Sequence, residues 1–363
     1  MSSAAPSTQA SKPSRLAACV RDAAASGTAL SIIGGGTKQF YGRTCAGERL
    51  EVAEHTGIVA YEPSELVITA RAGTPVAEIE AELAAHGQIL GFEPPVMGPN
   101  STIGGVVSSG LSGPGRPYRG SVRDHLLGVE IINGRGEVLR FGGQVMKNVA
   151  GYDVSRLIAG ALGVLGVVTE VSLRVVPRGP CEQTLCWVLP AAGAATRMRE
   201  LSRRPWPITA MAFDGQMLRV RLSGSRLAID DAVRALGSAA TLAEDDFWHD
   251  LRHYRFPLFD PRAETGLWRL ALPPAAPDPP DYSVILVDWA GAQRWVAGTA
   301  MDADALRAYC RAQGGHASRF RGGADGGEVF DELAPALQAL MQRVKRAFDP
   351  VGILNPGRLY SWL

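Results

Sequence analysis

The chain has 363 residues, enough for two or three packed domains at about 150 residues per domain. Hydrophobic residues make up 46% and charged residues 20%, which excludes a disordered chain, and 37 Lys and Arg against 36 Asp and Glu leave a net charge of +1, which argues against nucleic acid as a main partner. The 42 glycines, about 12% of the chain against an ordinary ~7%, predict glycine-rich turns and ligand loops.

The first predicted elements are typical of an α+β domain. A short apolar strand over residues 29–33 runs into the glycine loop, Gly34-Gly35-Gly36-Thr37-Lys38. Thr74 as N-cap and Pro75 at the first helical position predict a helix that Gly87 ends. The other elements predicted before residue 97 are a helix over 14–26 and strands over 58–61 and 66–71.

The glycine loop has the composition of an anion site. Three glycines after a strand allow successive backbone N–H groups to point at one place, which suits a pyrophosphate. Thr37 adds a hydroxyl and Lys38 a cation. Neither G-x-G-x-x-G nor G-K-[ST] is present, so a plain glycine turn is the alternative interpretation.

Residues 97–120 form a second segment of unusual composition. They are rich in Gly, Ser and Pro but contain the apolar stretch Ile103-Gly104-Gly105-Val106-Val107, which a linker would lack. We predict an ordered segment that lines a ligand, and a mobile surface loop is the alternative. A hairpin over 127–133 and 137–141 and a strand over 167–176 follow.

Pro177-Arg178-Gly179-Pro180 marks the clearest domain boundary. Beyond it, strands and helices alternate, which predicts a ferredoxin-like sheet with helices on one face. A last helix over 328–348 carries an apolar stripe from Phe330 to Phe348, and no internal sequence repeat is found. The elements predicted between the boundary and that helix are strands over 184–189, 208–213, 217–222 and 268–272 and helices over 192–203, 225–236 and 302–313.

The order of these motifs resembles one known family. The strand and Gly-Gly-Gly-Thr loop, Thr102-Ile103-Gly104-Gly105, Lys147-x-x-x-Gly151-Tyr152-Asp153, Gly163-x-x-Gly166-Val167-Val168-Thr169 and the terminal Asn355-Pro356-Gly357 occur in that order. Over residues 13–178 and 326–363 the chain resembles the vanillyl-alcohol-oxidase-type (PCMH) FAD-binding family. The sequence Met-Lys-Asn-Val-Ala-Gly-Tyr-Asp and the short middle region resemble in particular the FAD-binding E subunits of bacterial glycolate oxidase (glycolate dehydrogenase).

The resemblance implies an α+β fold and a division of the chain. Residues 1–12 would be disordered, and residues 13–178 would form a PCMH-type FAD-binding domain of two subdomains. Residues 179–325 would form a small ferredoxin-like α/β cap that faces substrate or a partner. Residues 326–363 would bring a C-terminal helix and a flavin-edge segment back to the FAD domain.

The resemblance also implies a site for non-covalent FAD between the two subdomains. The pyrophosphate would lie on the glycine loop, backbone groups of residues 163–168 would meet the adenine, and Asn355 would return to the flavin edge. Thr37 stands where covalent members carry His, Leu162 stands where related dehydrogenases carry Glu, and Arg358 replaces a Lys. The predicted cofactor-binding residues are Gly34, Gly35, Gly36, Thr37, Lys38, Gly98, Thr102, Gly104, Gly105, Ser109, Gly110, Gly120, Gly163, Val167, Val168 and Asn355.

The catalytic base is left unassigned. His249 and His253 are four residues apart beside Arg252 and Arg255, a pattern that could bind a carboxylate and accept a hydroxyl proton. A metal site or an ordinary polar helix face are the alternatives. His316, near Arg319 and Arg321, has the same alternatives, and no metal is assigned.

The function implied is that of an FAD-dependent oxidoreductase subunit. It would oxidise a small 2-hydroxy acid such as glycolate to glyoxylate, within a complex that has a larger FAD subunit and an iron–sulfur subunit as electron acceptor. The five cysteines are scattered without a Cys-x-x-Cys pair, which favours a reducing compartment and an iron–sulfur cluster on a partner. The alternatives are a non-catalytic flavin-binding and assembly subunit, and a free-standing FAD-dependent alcohol oxidase.

A location follows from two further features. No apolar run reaches the ~18 residues that span a bilayer, and the first 30 residues do not have the pattern of a signal peptide. We therefore expect no transmembrane segment, and a cytoplasmic protein or one held peripherally at the inner membrane through its complex.

Overall fold

A computed structural model describes residues 12–143, 153–237, 241–243, 246–260, 262–263, 265–298, 301–321 and 327–363. Of the predicted disordered segment 1–12, residues 1–11 lie outside the described residues, as does the Lys147–Tyr152 part of the family motif, whereas Lys12 begins a helix. Asp153, the last residue of that motif, accepts a hydrogen bond from the backbone N–H of Arg156 at 3.2 Å and caps a short helix. In the described residues, helices combine with mainly antiparallel sheets, so the predicted α+β class is confirmed.

A five-stranded antiparallel sheet organises the first part of the chain, in the order β3-β4-β8-β6-β7. The three central strands are buried along almost their whole length, whereas the edge strand β7 alternates exposed and half-buried residues. This difference follows from position, because a central strand is covered on both faces. The strands are β3 (Ile58–Glu62), β4 (Val67–Arg71), β6 (Leu126–Ile132), β7 (Val138–Gly142) and β8 (Val167–Arg174).

Two small strand pairs and several helices complete this part. Strand β1 (Leu30–Ile33) pairs in parallel with β2 (Glu48–Glu51), and β5 (Gln88–Ile89) pairs with β9 (Val176–Pro177). The helices are α1 (Lys12–Ser26), α2 (Val76–Ala85), α3 (Ile103–Ser109), α4 (Arg116–Arg119), α5 (Val122–His125) and α6 (Val154–Ile158).

The predicted cap of α2 is wrong by one residue. Pro75 occupies the N-cap position and no side chain caps the helix. The Thr74 hydroxyl instead accepts from the Gly57 N–H at 2.9 Å and donates to the Arg71 carbonyl at 2.7 Å. Thr74 therefore ties two neighbouring main-chain segments together.

An eight-stranded antiparallel sheet forms the second part, in the order β13-β10-β12-β11-β15-β16-β14-β17. Its first half has the β-α-β-β-α-β order of a ferredoxin-like unit, as predicted. Its second half repeats that strand order, with a proline-rich loop in place of the first helix. The elements are β10 (Cys181–Val188), α7 (Ala191–Leu201), β11 (Ile208–Phe213), β12 (Met217–Gly224), α8 (Arg226–Leu236), β13 (Thr241–Ala243), α9 (Phe247–Arg252), β14 (Gly266–Ala271), β15 (Val284–Asp288), β16 (Gln293–Gly298), α10 (Ala303–Ala312) and β17 (His316–Arg321), with 3-10 turns at Pro257–Phe259 and Trp289–Gly291.

The last helix, α11, spans Pro335–Phe348 and is shorter than predicted. Phe330 and Leu333 precede it, and Leu337 and Leu340 are exposed. Only the C-terminal end of the predicted stripe packs against the core of the five-stranded sheet, through Val344 and Phe348. The proline at the first helical position marks the true start.

Candidate active site

The glycine loop follows β1 and lies directly on the segment that precedes α3. A Cβ atom at Gly35 would stand 1.5 Å from the main-chain oxygen of Asn100, and one at Gly34 would stand 2.8 Å from Thr102 Oγ1. Gly36 has a φ of +71°, a left-handed conformation that favours glycine. Gly34 and Gly35 are therefore required by close contact with the segment before α3, and Gly36 is favoured by its backbone conformation.

The glycine loop, α3 and the 162–168 segment line one open cleft, here called the main cleft. The loop that carries Asn355 closes one side of it. Twelve of the sixteen predicted cofactor-binding residues line this one cleft, although they come from four separate parts of the chain. They are Gly34, Gly35, Gly36, Thr37, Lys38, Thr102, Gly104, Gly105, Ser109, Gly163, Val168 and Asn355.

The other four predicted residues lie off the wall of the main cleft. Gly98 lines the adjoining second cavity described below, and Val167 is buried within β8. Gly110 packs against the backbone of Gly160, because a Cβ at Gly110 would stand 2.9 Å from the Gly160 Cα. Gly120 ends α4 with a φ of +90°.

Eight further residues line the main cleft that are not among the predicted cofactor-binding residues. Most are apolar or small residues of ordinary elements and carry no sequence signal. Leu162 is an exception, with an unusual φ of +49°, and its N–H donates to the Ser108 carbonyl at 2.9 Å. The eight are Ile32, Gln39, Val52, Ala72, Ser108, Leu162, Gly166 and Arg358.

Arg358 shapes the chain that follows the glycine loop. Its guanidinium donates to the carbonyls of Gln39 and Tyr41, both at 2.9 Å, and of Arg43 at 2.8 Å. These bonds curl residues 39–43 around one side chain. The sequence marks Arg358 only as the replacement for a Lys directly after Asn355-Pro356-Gly357, and the structure places it on the wall of the main cleft.

Asn355 fastens three segments of the cleft wall. Its Oδ1 accepts from the Ile32 N–H and its Nδ2 donates to the Leu162 carbonyl, both at 2.7 Å. A Cβ at Gly163 would stand 2.7 Å from the same Nδ2. Both polar atoms of this amide are therefore engaged by the protein itself.

Lys38 contributes a positive charge to the wall of the main cleft. It forms no ion pair within the described part of the chain, and burial lowers its pKa to about 8. The free energy of a half-buried ammonium falls when an anion binds beside it, so this side chain suits a phosphate-bearing ligand.

A second cavity of about 410 Å³ adjoins the main cleft, and Thr37 lines both. Its walls are mostly aromatic and apolar, and its titratable or charged members are one histidine, one tyrosine and two arginines. No Asp or Glu is among these wall residues, which are Thr37, Phe40, Val96, Met97, Gly98, His253, Tyr254, Arg255, Phe259, Phe320 and Arg321. The cavity is therefore both apolar and positively charged.

Of the candidate histidines and arginines, His253, Arg255 and Arg321 line the second cavity, although the His249 and His253 rings are in contact, with their centroids 4.6 Å apart. His253 lines the second cavity, and its Nδ1 accepts from the Val96 N–H at 3.0 Å. Burial first, and then the neighbouring Arg252, lower the pKa of His253 to about 3. Arg252 itself pairs with Glu80 outside the cavity, and His249 is half exposed. His316 is not a wall residue of either space.

Two further properties bear on the chemistry. Among the described residues, no group of three His, Cys, Asp or Glu side chains is arranged to hold a metal ion. In the same part of the chain, every helix is too short or too polar to cross a membrane.

Comparison with known proteins identifies the family. A family model described as "FAD binding domain" matches residues 8–142, and one described as "FAD linked oxidases, C-terminal domain" matches residues 327–359. Glycolate oxidase subunit GlcE of Escherichia coli is 44% identical over 95% of this chain and 96% of its own length. The chain belongs to the GlcE family of FAD-linked oxidases.

Other relatives are more distant. Glycolate oxidase subunit GlcD of Bacillus subtilis is 32% identical over 35% of this chain and 27% of its own length. A D-lactate dehydrogenase of Archaeoglobus fulgidus is 24% identical over 79% of this chain and 76% of its own. An alkyldihydroxyacetonephosphate synthase structure has a TM-score of 0.63 at 15% identity, over 95% of this chain and 75% of that one.

Family membership confirms several predictions. The predicted FAD-binding family is correct, and the structural likeness confirms the predicted PCMH-type α+β fold. FAD is the cofactor of this family, and its members are FAD-dependent oxidoreductases.

Proposed function

We propose that this chain is the FAD-binding subunit of a glycolate oxidase complex and oxidises a small 2-hydroxy acid, such as glycolate, to the 2-oxo acid, glyoxylate. One observation carries the proposal: the glycine loop, α3, the 162–168 segment and the Asn355 loop meet in one cleft that opens beside an apolar, cationic cavity. The relatives named as glycolate oxidase subunits and D-lactate dehydrogenases support the substrate class.

The residues of the main cleft fit FAD by chemistry and by shape. Backbone N–H groups of residues 34–37 and the Lys38 ammonium would hold the pyrophosphate, where any side chain at Gly35 would fill the cradle. Thr102, Gly104, Gly105 and Ser109 would line the ribityl chain. Thr37 stands in the glycine loop where covalent members carry His, which supports non-covalent FAD. When bound, FAD supplies a two-electron acceptor.

The two sheets suggest a division of labour. We assign FAD binding to residues 13–178, the cap to residues 179–325, and the return to the flavin edge to residues 326–363. The second cavity uses wall residues from both the first part and the cap, which is where substrate would meet FAD.

The complex is also part of the proposal. Relatives carry the names of two different glycolate oxidase subunits, GlcE and GlcD. We infer a larger FAD subunit and an iron–sulfur subunit as partners, the latter as electron acceptor. A cytoplasmic complex, or one peripheral to the inner membrane, follows from this assignment.

The cofactor test is simple. The purified chain should be yellow, and acid precipitation should release FAD into the supernatant. Colour that stays with the pellet would contradict the non-covalent assignment. A colourless, folded chain that does not bind added FAD would overturn the whole proposal.

The substrate test uses the reconstituted complex. Complexes are reconstituted with FAD on only one subunit at a time, so that any bleaching is assigned to one flavin. Glycolate added without an electron acceptor should bleach the flavin of this subunit. If only the partner's flavin is reduced and a FAD-free form of this chain supports full turnover, this subunit is an assembly subunit.

A further inference from the structure

The two halves of the eight-stranded sheet differ in the helices that cover them. In the first half, α7 connects the first two strands and α8 follows the third strand. In the second half, α10 follows the third strand in the same way, but residues 272–283, all within the described part of the chain, connect β14 to β15 without a helix. Five prolines over 273–280 prevent a helix there. The mirrored strand order places this fourth helix position beside α7.

An open groove of about 530 Å³, here called the outer groove, lies at the fourth helix position. Its floor contains Phe213, Val287 and Arg294, which are direct neighbours across β11, β15 and β16. One wall is α7, and the other is the proline-rich loop, residues 274–278. Arg294 lies two residues before Val296, which packs against α10, so the outer groove opens on the face of the sheet that α10 covers.

The walls of the outer groove expose small and apolar side chains. On α7 these are Ala191, Ala192 and Ala195, and on the proline-rich loop they are Pro274 and Ala275. Small side chains on one helix allow another helix to approach it closely. A contiguous exposed apolar surface is typical of an interaction site, and an amphipathic helix that lies in an apolar groove is a common mode of recognition.

Arg294 holds the proline-rich loop in place. Its side chain is buried, and its terminal nitrogens donate to the carbonyls of Ala276 at 2.6 Å and Pro277 at 2.7 Å. It also donates to the Asp278 carboxylate at 2.8 Å. The Tyr309 hydroxyl of α10 donates to the Pro277 carbonyl at 2.9 Å. The loop is therefore fastened on the α10 side, and the outer groove is preformed, which lowers the cost of binding a partner.

Arg199 gives the outer groove an uncompensated positive charge. It lines the groove from α7, donates to Thr196 Oγ1 at 3.1 Å, and forms no ion pair with a described carboxylate. The other two charged residues that line the groove, Arg294 and Asp278, pair with each other. Charge complementarity therefore requires a carboxylate on the molecule that lies against Arg199.

We infer that the outer groove binds an amphipathic helix of another subunit of the complex, with the apolar face of that helix between α7 and the proline-rich loop and a carboxylate at its edge paired with Arg199. The inference rests on the proposed function for the existence of the complex, and it names the surface that holds a partner. A second copy of this chain is disfavoured, because α11, whose Leu337 and Leu340 are exposed, carries Arg343 and Arg346 and no acidic residue.

Two variants test the outer groove in the reconstituted complex. Ala195→Trp fills the groove from an exposed position of α7, and Arg199→Glu places a negative charge against the partner's carboxylate. Each should weaken the affinity of the FAD-loaded chain for its partner subunits by about 10-fold or more, measured by biolayer interferometry. The matched controls are Ala84→Trp, exposed on α2, and Arg15→Glu, exposed on α1, and both should bind like the unmodified chain. All four variants should keep the FAD content and Tm of the unmodified chain.

Cross-linking identifies the occupant of the outer groove. Ala195→p-benzoylphenylalanine, irradiated in the complex, should cross-link to a helical, amphipathic segment of a partner subunit that contains an Asp or Glu, and mass spectrometry identifies that segment. Ala84→p-benzoylphenylalanine is the control and should not cross-link to it. A change of that Asp or Glu to Lys should restore binding to Arg199→Glu and weaken binding to the unmodified chain.

The outcomes separate this inference from the proposed function. If the complex forms and both groove variants bind like their controls, the outer groove is not the docking site and the proposed function stands. A cross-link to a segment without a helix or a carboxylate also overturns the inference. Dimerisation of the isolated chain that light scattering detects and Ala195→Trp abolishes would assign the groove to a second copy instead. If the unmodified chain binds no partner subunit, the inference fails together with the complex, whereas reduction of its flavin by glycolate would still support the oxidation.

Discussion

Lys38 is a half-buried cation whose charge is poorly solvated in the free protein. Since burial lowers its pKa to about 8, the ammonium form predominates only below that value. We therefore predict that FAD affinity weakens as pH rises through about 8, because deprotonation removes the charge that faces the pyrophosphate. Equilibrium dialysis of FAD between pH 6.5 and 9.5 measures it.

Two variants check this prediction. Lys38→Arg should retain affinity with a flatter pH dependence, because a guanidinium stays charged over this range. Lys38→Met should bind FAD about 10-fold or more weakly at pH 7. Equal pH dependence in all three proteins would show that Lys38 does not contact the pyrophosphate.

His253 links the second cavity to acid stability. Its pKa is about 3 in the folded chain against an ordinary value of 6.5, so between these values the unfolded chain binds a proton that the folded chain does not. Stability must then rise with pH across this window and fall as the pH drops through it. We predict that His253→Asn loses less Tm than the unmodified chain between pH 6.5 and 4.5.

Thermal melts of the FAD-free chain measure this difference. His86→Asn is the control, because that histidine lies on the surface and pairs with Glu82 of the same helix. Parallel curves for the unmodified chain and His253→Asn would mean that His253 is as protonated in the folded state as in the unfolded one.

Gly35 tests the close contact beneath the glycine loop. A Cβ at this position would overlap the Asn100 carbonyl oxygen, at 1.5 Å, and neither partner is a flexible side chain. Gly35→Ala must displace the loop, and we predict about 10-fold or greater loss of FAD affinity together with a lower Tm. In Gly193→Ala, the added methyl meets only ordinary contacts of 3.4 Å or more within α7, so FAD binding should not change.

At the scale of elements, a buried ion pair docks α11 onto the main cleft. The Lys345 ammonium donates to Asp349 at 2.7 Å and to the carbonyls of Val164 and Leu354, both at 2.8 Å. Asp349 in turn accepts the N–H groups of residues 352, 353 and 354. The pair therefore holds the loop that carries Asn355 against the 162–165 turn.

Removal of one partner of this ion pair should lower both the stability of the protein and its affinity for FAD. Lys345→Met leaves the Asp349 carboxylate buried without a cation, and we predict a loss of about 3 kcal/mol in the free energy of unfolding. FAD affinity should fall as well, since the Asn355 loop loses its anchor. Urea unfolding and FAD titration measure the two effects, with Arg346→Met, an exposed neighbour on α11, as control. Unchanged stability in Lys345→Met would contradict the role of the pair.

The elements also show what local sequence can predict. Spacing of Val76, Ile79 and Leu83 predicted α2 correctly, because its buried face is a local pattern. The apolar stripe extended α11 too far upstream, since Phe330 continues the period although the helix begins at Pro335. Only one strand and one helix of the second ferredoxin-like half were predicted, over 268–272 and 302–313, and its relation to the first half was missed because a loop replaces its first helix.

The two cavities also differ in how much of each could be predicted from the sequence. The glycine loop and the segment over 97–120 were predicted as ligand-lining from their composition, whereas Gly163, Val168 and Asn355 of the main cleft were predicted only through the family resemblance. The second cavity draws Phe40, Met97, His253 and Phe320 from distant parts of the chain, and only tertiary packing brings them together. No spacing in the sequence encodes that meeting.

At the scale of the whole molecule, the two parts of the chain share a core and a buried ion pair. Tyr41, Leu111 and Leu162 pack in one cluster with Trp295 and Phe320 of the eight-stranded sheet. Such apolar contacts set the distance between the two parts, whereas hydrogen bonds and ion pairs are needed to set their relative orientation. Because the second cavity lies where the two parts meet, its shape depends on both.

Glu93 supplies the directional bonds at this junction. Its carboxylate is buried, pairs with Arg221 on β12, and also contacts Arg119 at 3.3 Å. It also accepts the Gly115 N–H at 2.8 Å. The backbone of Glu93 is left-handed, with a φ of +50°. One side chain thus joins the eight-stranded sheet to the loops below the five-stranded sheet.

Glu93→Gln should destabilise the whole molecule rather than one loop. The amide keeps the shape but leaves the buried Arg221 charge with only the exposed Glu182 carboxylate, 3.9 Å away, as a counter-charge, and we predict a loss of about 3 kcal/mol in the free energy of unfolding. Asp231→Asn breaks an exposed pair with Arg234 and should change stability by less than about 0.5 kcal/mol. Urea unfolding followed by tryptophan fluorescence compares the two variants. A single, shifted transition for Glu93→Gln would show that both sheets unfold together, whereas an unshifted curve would mean that apolar packing alone holds them.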